Sequence, residues 1–424
     1  MTVKLRAVLV GLGHRTMLYA SWAQQHPEQL EIVGLADPDE QRVARAAERY
    51  GVPAGRCFSS AEDLAAVTAF ADVAINGTMD RQHVPTTLPL LQAGYDVLLE
   101  KPISPTRAEL MSLYETVQRT ERKLMICHVL RYAPFYVAIR ERVQAGEIGE
   151  ILQVRTAEMV SYHHMAVGFV RGKWNRRDRS NPMLLAKCCH DLDLICWMKS
   201  GTRPVRVASQ GGLFYFSPDK APLGAGTRCL VDCQIESTCP YSAYKNYIEQ
   251  DLWRFYAWEP IEQIADPTLE QKLHSLRTDN PYGRCVWHCD NDVVDHQSVI
   301  VEFEDGSVAT HDMVGAASRP CRQMHLIGTE GEIEGTMDEG VFVVRHPDAR
   351  AGHEYTEERI DVNVSRHMHG GGDLRLVSDF LAVVRGDQPS ISTTDIADSM
   401  YSHLIAYAAD EAMREHRFVE LGHI

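Results

Sequence analysis

Residues 184–193 place ionisable side chains in an otherwise apolar helical pattern. Lys187, His190 and Asp193 are spaced three residues apart, and side chains with this spacing share one face of a helix. Burying a charged group is costly unless the group is paired or takes part in chemistry. The spacing therefore predicts a site of acid/base chemistry. The alternative is a core histidine bonded to a backbone carbonyl, beside a lysine whose ammonium reaches solvent.

The element that carries these residues is predicted to be a helix of about 18 residues. Asn181 or Ser180 provides an N-cap, Pro182 suits the first turn, and Gly201 with Pro204 ends the run. Most of the other side chains in this stretch are apolar, so we expect the helix to be largely buried.

The composition is that of a soluble globular protein with more than one domain: 424 residues, 45% hydrophobic and 24% charged. A formal charge of -15 argues against binding to nucleic acid or to an anionic membrane, because like charges repel. No apolar stretch approaches the length of a membrane span, and the first residues run directly into a predicted strand, so we expect no signal peptide. Eleven dispersed cysteines indicate reduced thiols, and we expect a cytoplasmic protein.

A glycine turn separates the first predicted strand, residues 7–10, from a helical stretch. Gly11 permits the tight turn, and Gly13 allows the backbone to approach a pyrophosphate. Thr16 stands where the usual fingerprint has its third glycine. Asp37 ends the next strand, 21 residues after Thr16, where a carboxylate would hold a ribose diol. Together these residues predict a dinucleotide-binding domain.

The acidic residues after the second strand favour NAD over NADP. Asp37 and Asp39 would repel a 2'-phosphate, whereas Arg42 would partly offset that repulsion. Further strands alternate with helices up to residue 127, which is typical of a parallel, doubly wound sheet. Ligands bind at the carboxyl ends of such strands, so we expect the loops 77–83 and 100–102 to face the cofactor crevice.

Several short motifs, taken in order, resemble the Gfo/Idh/MocA family, named after glucose-fructose oxidoreductase, inositol dehydrogenase and a rhizopine catabolism protein. The resemblance covers most of the chain except about residues 237–296. The matching residues are Gly11, Gly13, Asp37, the loop from Thr78 to His83, Glu100-Lys101-Pro102, Arg131-Tyr132-Ala133-Pro134, Gly146-Glu147-Ile148-Gly149, His190 with Asp193, and His369-Gly370-Gly371-Gly372-Asp373.

The resemblance implies a Rossmann domain, residues 1–128, followed by an α+β domain, residues 129–424. The open, mostly antiparallel sheet of the second domain would support the substrate site and the interface of a homo-oligomer, a dimer or tetramer. The implied cofactor site consists of Gly11, Gly13, His14, Arg15, Asp37, Thr78, His83, Glu100 and Lys101.

The resemblance also implies the catalytic roles. His190 would accept or donate the proton of a substrate hydroxyl, and Lys101 would contact both the substrate and the nicotinamide ribose. The family commonly has an aspartate four residues before the histidine, and Ala186 holds that position here. Lys187 follows, and we interpret it as a substitute contact for the absent aspartate.

Two polar segments before the helix are candidates for substrate binding. Strand 151–161 delivers a tyrosine and two histidines to its end, and the loop 171–179 is rich in arginine. A tryptophan in that loop suits stacking on a pyranose, and arginines suit an anionic substituent, although a solvated loop is the alternative. The predicted substrate site consists of Tyr162, His163, His164, Trp174, Arg176, Lys187 and Asp193.

The C-terminal part is predicted to form hairpins and two closing helices. Asp305-Gly306 is a turn between strands at 299–304 and 307–310, and helices are expected from about residues 373 and 395.

Residues 237–296 resemble an insertion rich in aromatic side chains, which we expect to cover the substrate cleft or to pack at a subunit interface. Cys239, Cys285, His288 and Cys289 are of the residue types that bind zinc. They lack the usual CxxC spacing, so buried thiols are favoured and no metal is predicted.

The preferred hypothesis is an oxidoreductase that uses NAD, or less favourably NADP, to oxidise a secondary hydroxyl of a sugar, glycoside or polyol. The alternative is an NAD-requiring glycosidase that oxidises a sugar transiently, eliminates the leaving group, adds water and reduces the ketone again. The missing aspartate keeps this alternative open. A third hypothesis, a non-enzymatic dinucleotide-binding regulator, is opposed by the paired lysine and histidine.

Overall fold

The computed structural model describes residues 3–363 and 368–422, whose strands form two sheets. The first sheet is parallel, with the strand order β3-β2-β1-β4-β5-β6, and it confirms the predicted Rossmann fold. Its strands are β1 (Leu5–Val10), β2 (Leu30–Ala36), β3 (Cys57–Phe58), β4 (Val73–Asn76), β5 (Asp96–Leu99) and β6 (Leu124–Ile126).

Helices cover both faces of this sheet because its strands are apolar on both sides. In β1, Ala7 and Leu9 belong to one hydrophobic core, whereas Val8 and Val10 belong to the core on the opposite face. The helices of this part are α1 (His14–Ala20), α2 (Trp22–Gln25), α3 (Glu40–Tyr50), α4 (Ala61–Ala66), α5 (His83–Gln92) and α6 (Arg107–Thr120).

The second sheet has the order β14-β13-β12-β11-β7-β10-β9-β8-β15. Strands β7 and β10 pair in parallel and the other neighbours are antiparallel, which confirms the predicted α+β domain. Its strands are β7 (Ile151–Ser161), β8 (Pro204–Gly212), β9 (His296–Phe303), β10 (Val308–Ala317), β11 (Cys321–Gly328), β12 (Glu332–Thr336), β13 (Val341–Pro347), β14 (Tyr355–Asp361) and β15 (Val419–Glu420).

The helices after the first sheet include the predicted central helix α9, which runs from 183 to 198 and is shorter than predicted. Pro182 occupies its N-cap, because the Asn181 side chain donates to an Asp80 carboxylate oxygen at 2.7 Å instead of capping. These helices are α7 (Pro134–Gln144), α8 (Tyr162–Met165), α9 (Met183–Met198), α10 (Arg254–Ala257), α11 (Leu269–Arg277), α12 (Gly372–Arg385) and α13 (Ile396–Glu415).

The last two helices return to the first sheet. Phe380 of α12 belongs to one of the two Rossmann cores, and Leu404 of α13 belongs to the other. His403 of α13 accepts a hydrogen bond from the backbone N–H of Ile103 at 2.7 Å. The boundary at residue 128 stays a prediction, but the core of the first domain includes side chains from the end of the chain. Within the described residues, no helix is both long enough and apolar enough to span a bilayer.

The aromatic-rich insertion is longer than predicted, because no strand occurs between β8 and β9, residues 213–295, all of which are described. It has a small core of its own, which includes Tyr247, Trp258 and Leu276. The main core also takes up part of the insertion, including Tyr241 and Trp287.

Arg171 ties this insertion to the rest of the domain. Its guanidinium is buried and donates to the carbonyl oxygens of Arg284 and Tyr241, at 2.6 Å and 2.8 Å. It also donates to the Tyr247 hydroxyl at 3.2 Å and to the Cys229 sulfur at 3.4 Å. A buried cation is tolerated here because almost every donor it carries is used.

Arg171→Met should lower the free energy of unfolding by about 3 kcal/mol or more, because several buried acceptors lose their donor together. The measurement is guanidinium unfolding of both proteins. Arg359→Met is the control, since Arg359 is exposed and pairs only with exposed Asp361 among the described residues, so about 0.5 kcal/mol or less is expected. Equal effects of the two substitutions would contradict the anchoring role.

Candidate active site

A cavity of about 1340 Å³ lies between the carboxyl edge of the first sheet and the second domain. The loops that follow β1, β2, β4 and β5 form one wall, and α9, β7, β11 and part of the insertion form the other. Most of the predicted site residues line it: Gly11, Gly13, His14, Arg15, Asp37, Thr78, His83, Glu100, Lys101, His164, Trp174, Lys187 and His190.

The dinucleotide half of the cavity has the predicted glycine turn and acid. Gly11 adopts φ +73°, and a Cβ there would lie 2.8 Å from the backbone of Thr78, so a larger residue does not fit. Asp37 accepts backbone hydrogen bonds from Leu12 at 2.6 Å and from Asp39 at 2.8 Å, which fixes its carboxylate at the cavity. The turn and the oriented carboxylate fit NAD.

Thr16, in place of the third glycine, is fully buried against the loop after β4. A Cβ on Gly77 would lie only 2.3 Å from the Thr16 hydroxyl oxygen. The small residue that this contact requires is therefore Gly77 in the loop, facing Thr16 in the helix. Helix and loop can still approach each other closely.

Arg15 is anchored within a buried network. Its guanidinium donates to Glu100 at 2.6 Å and to Asp373 of α12 at 2.5 Å, and Tyr19 donates to Glu100 at 2.7 Å. Burial alone would raise the pKa of Asp373, but His369 and Arg15 overcome this and hold the pKa at about 2. Arg15 and Glu100 therefore line the cavity as an ion pair, and Arg15 also connects them to Asp373 of α12.

His83 joins two of the cavity loops. One ring nitrogen lies 2.6 Å from the carbonyl oxygen of Pro102, and the other lies 2.9 Å from that of Thr78. His83 therefore holds these two loops together, and its contact with the cofactor stays a prediction.

Lys101 and His190 both line the cavity, and the charge of Lys101 acts on the His190 imidazole. The Lys101 ammonium donates to the Ala186 carbonyl oxygen at 3.0 Å, one helical turn before His190. Burial, followed by the charge of Lys101, lowers the pKa of His190 well below 6.5, so the imidazole is neutral at pH 7. Its Nδ1 has no hydrogen-bond partner among the described residues.

His190 belongs to a row of imidazoles that leads from the cavity into the core. Its ring centroid lies 5.6 Å from that of His369 and 5.8 Å from that of buried His128. His128 in turn lies 5.8 Å from His403 of α13. Burial is the largest influence on these rings and lowers the pKa of each, so the row is uncharged at neutral pH.

Lys187 forms an ion pair that the sequence did not predict. Its ammonium lies 3.2 Å from Glu158 of β7, whose other oxygen lies 2.5 Å from Arg322 of β11. Arg322 also donates to Asp191 at 3.0 Å. Burial lowers the pKa of Lys187, and the charge of Glu158 opposes that effect. The wall opposite the cofactor loops therefore carries two cations and a carboxylate.

These additional residues were missed because their partners are distant in the chain. Glu158 gave one signal, since a glutamate within the otherwise apolar end of a predicted strand is unusual. Arg322 gave none, because an arginine near a strand end is ordinary.

Asp193 and Arg176 do not line the cavity, and their predicted roles in substrate binding are corrected. Asp193 accepts two hydrogen bonds, at 2.7 Å and 2.6 Å, from the buried guanidinium of Arg131, so it faces the core. Arg176 pairs with exposed Asp178 at 2.9 Å. Arg177 and Arg179 of the same loop pair with Asp410 and Asp290, so the arginines of this loop are already engaged and are not arranged as an anion clamp.

Tyr162 and His163 also lie behind the cavity wall, which corrects their assignment to the substrate site. Tyr162 packs on the main core beside Tyr241. His163 accepts a hydrogen bond from the indole N–H of Trp253 at 2.9 Å. His164, the last of the three, does line the cavity and stacks on Trp253 at a centroid distance of 4.2 Å.

Aromatic side chains of the insertion cover the cavity, as one of the two sequence hypotheses expected. Trp253, Phe255 and Tyr256 line it. Phe255 stacks on His14 of the glycine turn, with centroids 4.5 Å apart and planes 9° apart. Trp174 donates to Asp80 at 3.2 Å and packs edge-on against Tyr256. The cover therefore contacts both the cofactor half and the substrate half.

The cysteines considered for zinc do not converge in the part of the chain that the structure describes. Among the described residues, the side chains of metal-binding type that lie close together are those of Cys188, Asp191 and His311, and all three are buried. Asp191 already pairs with Arg322, and His311 lies 2.9 Å from the hydroxyl of Thr156. We assign no metal to this group.

Sequence comparison relates the cofactor half to known proteins. Residues 5–128 match the family profile GFO_IDH_MocA, described as an oxidoreductase family with an NAD-binding Rossmann fold. YteT of Bacillus subtilis, named as an oxidoreductase, is 26% identical over 392 residues, which cover 88% of this chain and 87% of YteT. Inositol 2-dehydrogenase of Corynebacterium glutamicum is 27% identical over 209 residues, 49% of this chain and 57% of that enzyme.

Solved structures share the fold over the whole chain. An oxidoreductase from Agrobacterium radiobacter, in complex with NAD+, L-tartaric acid and magnesium, has a TM-score of 0.69 at 14% identity, covering 99% of each chain. The WlbA dehydrogenase from Chromobacterium violaceum, in complex with NADH and UDP-GlcNAcA, has a TM-score of 0.65 at 16% identity and covers 99% of this chain and 96% of its own.

Asp373→Asn should destabilise the protein by about 2 kcal/mol at neutral pH, because the lowered pKa of this buried carboxylate is a stabilising contribution. Since the pKa is lower in the folded state, the contribution is present above the ordinary value of 3.8 and is lost as the pH falls towards about 2. Urea unfolding at neutral pH and at about pH 3 should therefore show a smaller difference at the lower pH.

Asp387→Asn is the control for this comparison, because Asp387 is exposed just beyond the same helix. The control should show no such pH dependence. A difference between Asp373→Asn and the parent protein that stayed constant with pH would contradict the role of the Arg15 network.

Proposed function

We propose that this chain, whose residues 5–128 match the Gfo/Idh/MocA family of oxidoreductases, is an NAD-dependent dehydrogenase of a secondary hydroxyl in a sugar or polyol. The nearly full-length similarity to YteT supports an oxidoreductase. The chain spans little more than half of the inositol dehydrogenase it resembles, so the polyol substrate belongs to the proposal.

The observation that supports this proposal is that Lys101 and His190 line one cavity, with the Lys101 ammonium bonded to the backbone of α9 one turn before His190. One is a cation and the other is a neutral base, and both line the cavity next to the turn that fits NAD. Oxidising an alcohol requires both a hydride acceptor and a proton acceptor, which the two halves of this cavity provide.

The glycine turn at Gly11 and the carboxylate of Asp37 would hold NAD, which would supply the hydride acceptor for the carbinol carbon. His190 takes the hydroxyl proton, because its imidazole is uncharged and its burial excludes water as a competing base. The Lys101 ammonium stabilises the negative charge that develops on the hydroxyl oxygen. Its hydrogen bond to the Ala186 carbonyl keeps it near His190.

Lys187 and Glu158 form the wall that we assign to the remaining hydroxyls of the substrate. Their ion pair offers both a donor and an acceptor, the combination that a polyhydroxylated molecule requires. Trp174 adds a flat apolar surface held by Asp80, suited to a sugar ring.

A glycosidase reaction is not favoured, because the named relatives with which the chain aligns are oxidoreductases and dehydrogenases. The two reactions give different products. Incubation with NAD and a panel of polyols and sugars should produce NADH steadily, whereas aryl glycosides should not be cleaved. Cleavage without accumulation of NADH would contradict a dehydrogenase.

We further propose that the enzyme is a cytoplasmic homo-oligomer. All eleven cysteines are free thiols, which suits a reducing compartment.

The proposed self-association would use the face of the second sheet remote from α9. This face carries Arg155, Ile300 and Val343 around a shallow cavity of about 780 Å³. Ile300 is 51% exposed there, which supports self-association through this face.

His190→Asn should reduce kcat by about 100-fold or more while binding of NAD is retained, because only the proton acceptor is removed. Turnover and calorimetric titration with NAD measure the two effects. His274→Asn, at an exposed helical position of the insertion, should leave both unchanged. Near-normal turnover of His190→Asn would overturn its assignment as the base.

The pH profile should reflect the unusual environment of His190. Because burial and Lys101 lower its pKa, the imidazole stays deprotonated in weak acid, and the acid limb of kcat/KM should lie below pH 6.5. Rates over a series of buffers at constant ionic strength locate this limb. A limb at or above pH 6.5 would mean that another group governs activity.

A further inference from the structure

Arg42 of α3 is engaged by two glutamates of the insertion. Its guanidinium donates to Glu262 at 2.6 Å and 3.0 Å, and to Glu259 at 3.0 Å. Arg45, one turn later, also lies 3.4 Å from Glu262. These contacts join parts of the chain that are more than 200 residues apart, across the open end of the cavity.

The position of Arg42 indicates that these contacts affect how the adenosine part of the cofactor is bound. It follows Asp37 by five residues and lines the same part of the cavity, where a dinucleotide-binding domain holds the adenosine ribose. An arginine near this acid is the residue that commonly accommodates the 2'-phosphate of NADP. Here that arginine is already paired.

We infer that Glu259 and Glu262 make this enzyme reject dinucleotides that carry a 2'-phosphate. The inference rests on the proposed function, because it assumes that NAD occupies the cavity. It assigns the preference for NAD over NADP to two residues of the insertion as well as to Asp37. The glycine turn and Asp37 alone do not provide this contribution.

Electrostatics supports this assignment. A 2'-phosphate carries up to two negative charges and would enter a region that already holds Asp37, Asp39, Glu259 and Glu262. To bind Arg42 it would have to displace the two glutamates. A free 2'-hydroxyl has no such requirement, because it can donate to Asp37.

Glu259 is held in place from a second side. It also accepts from Lys173 at 2.5 Å, and its side chain is only 21% exposed. On the same segment, Phe255 stacks on His14. This segment of the insertion therefore contacts both the cofactor domain and the loop 171–179, which keeps the carboxylate of Glu259 at the cavity, whereas Glu262 is held by Arg42 and Arg45.

The experiment measures binding of NADH and NADPH by calorimetry to the parent protein and to the double variant Glu259→Gln/Glu262→Gln. Removing both charges frees Arg42 and Arg45, so we expect NADPH to bind about tenfold or more tightly while NADH changes little. The ratio of kcat/KM for NADP and NAD should shift in the same direction.

Two further variants make the result specific. Glu270→Gln removes a charge from an exposed site on the same insertion, away from Arg42, and should not change the ratio. Adding Arg42→Gln to the double variant should remove most of the gain in NADPH affinity, because only the guanidinium of Arg45 is then left for the phosphate.

The outcomes separate the two proposals. If neither dinucleotide binds to the folded parent protein, the proposed function fails. If NADH binds but the parent protein does not discriminate, or if the double variant keeps its parent's ratio, the role of the glutamates is overturned. Thermal unfolding of each variant verifies folding, and Glu262→Gln alone, expected to give a smaller shift, replaces the double variant if that unfolds.

Discussion

The hydrogen bond from the Lys101 ammonium to the Ala186 carbonyl connects the two domains at the point where chemistry is proposed. Lys101 follows a strand of the first sheet, and Ala186 lies one turn before His190 in α9. Because this acceptor belongs to the backbone, the position of the lysine depends on the course of the helix and not on a neighbouring side chain. An aspartate at position 186 is therefore not needed to hold the ammonium at α9.

Local patterns were sufficient to predict most of the fold and the cofactor half of the site. Gly11, Asp37 and Lys101 each follow a strand of a regularly alternating α/β pattern, and the topology of a parallel sheet brings strand ends together. The ion pair between Lys187 and Glu158 could not be predicted this way. Glu158 lies on β7 and is also paired with Arg322 of β11, and the pairing of these two strands depends on contacts between residues far apart in the chain.

In the substrate half, helical spacing predicted a contact that the structure does not have. Asp193 was expected beside His190 from helical spacing, but α9 is buried on nearly all sides, so different positions of one helix serve different neighbours. The sequence shows that the loop 171–179 is rich in arginine, but the role of each arginine depends on partners that the sequence does not identify. Arg171 became an internal anchor, whereas Arg176 became an ordinary surface pair.

The last helices of the chain complete the hydrophobic cores of the first domain, and this has a consequence for biosynthesis. The edge strand β6 receives its final partner from Thr394, whose carbonyl accepts from Ile126 at 2.9 Å, and α13 supplies Leu404 to the core beside it. A ribosome releases the nucleotide-binding sheet long before it makes these residues. We therefore expect the nascent sheet to emerge with an unpaired edge and exposed apolar surface, and to complete its cores only when the last two helices have been made.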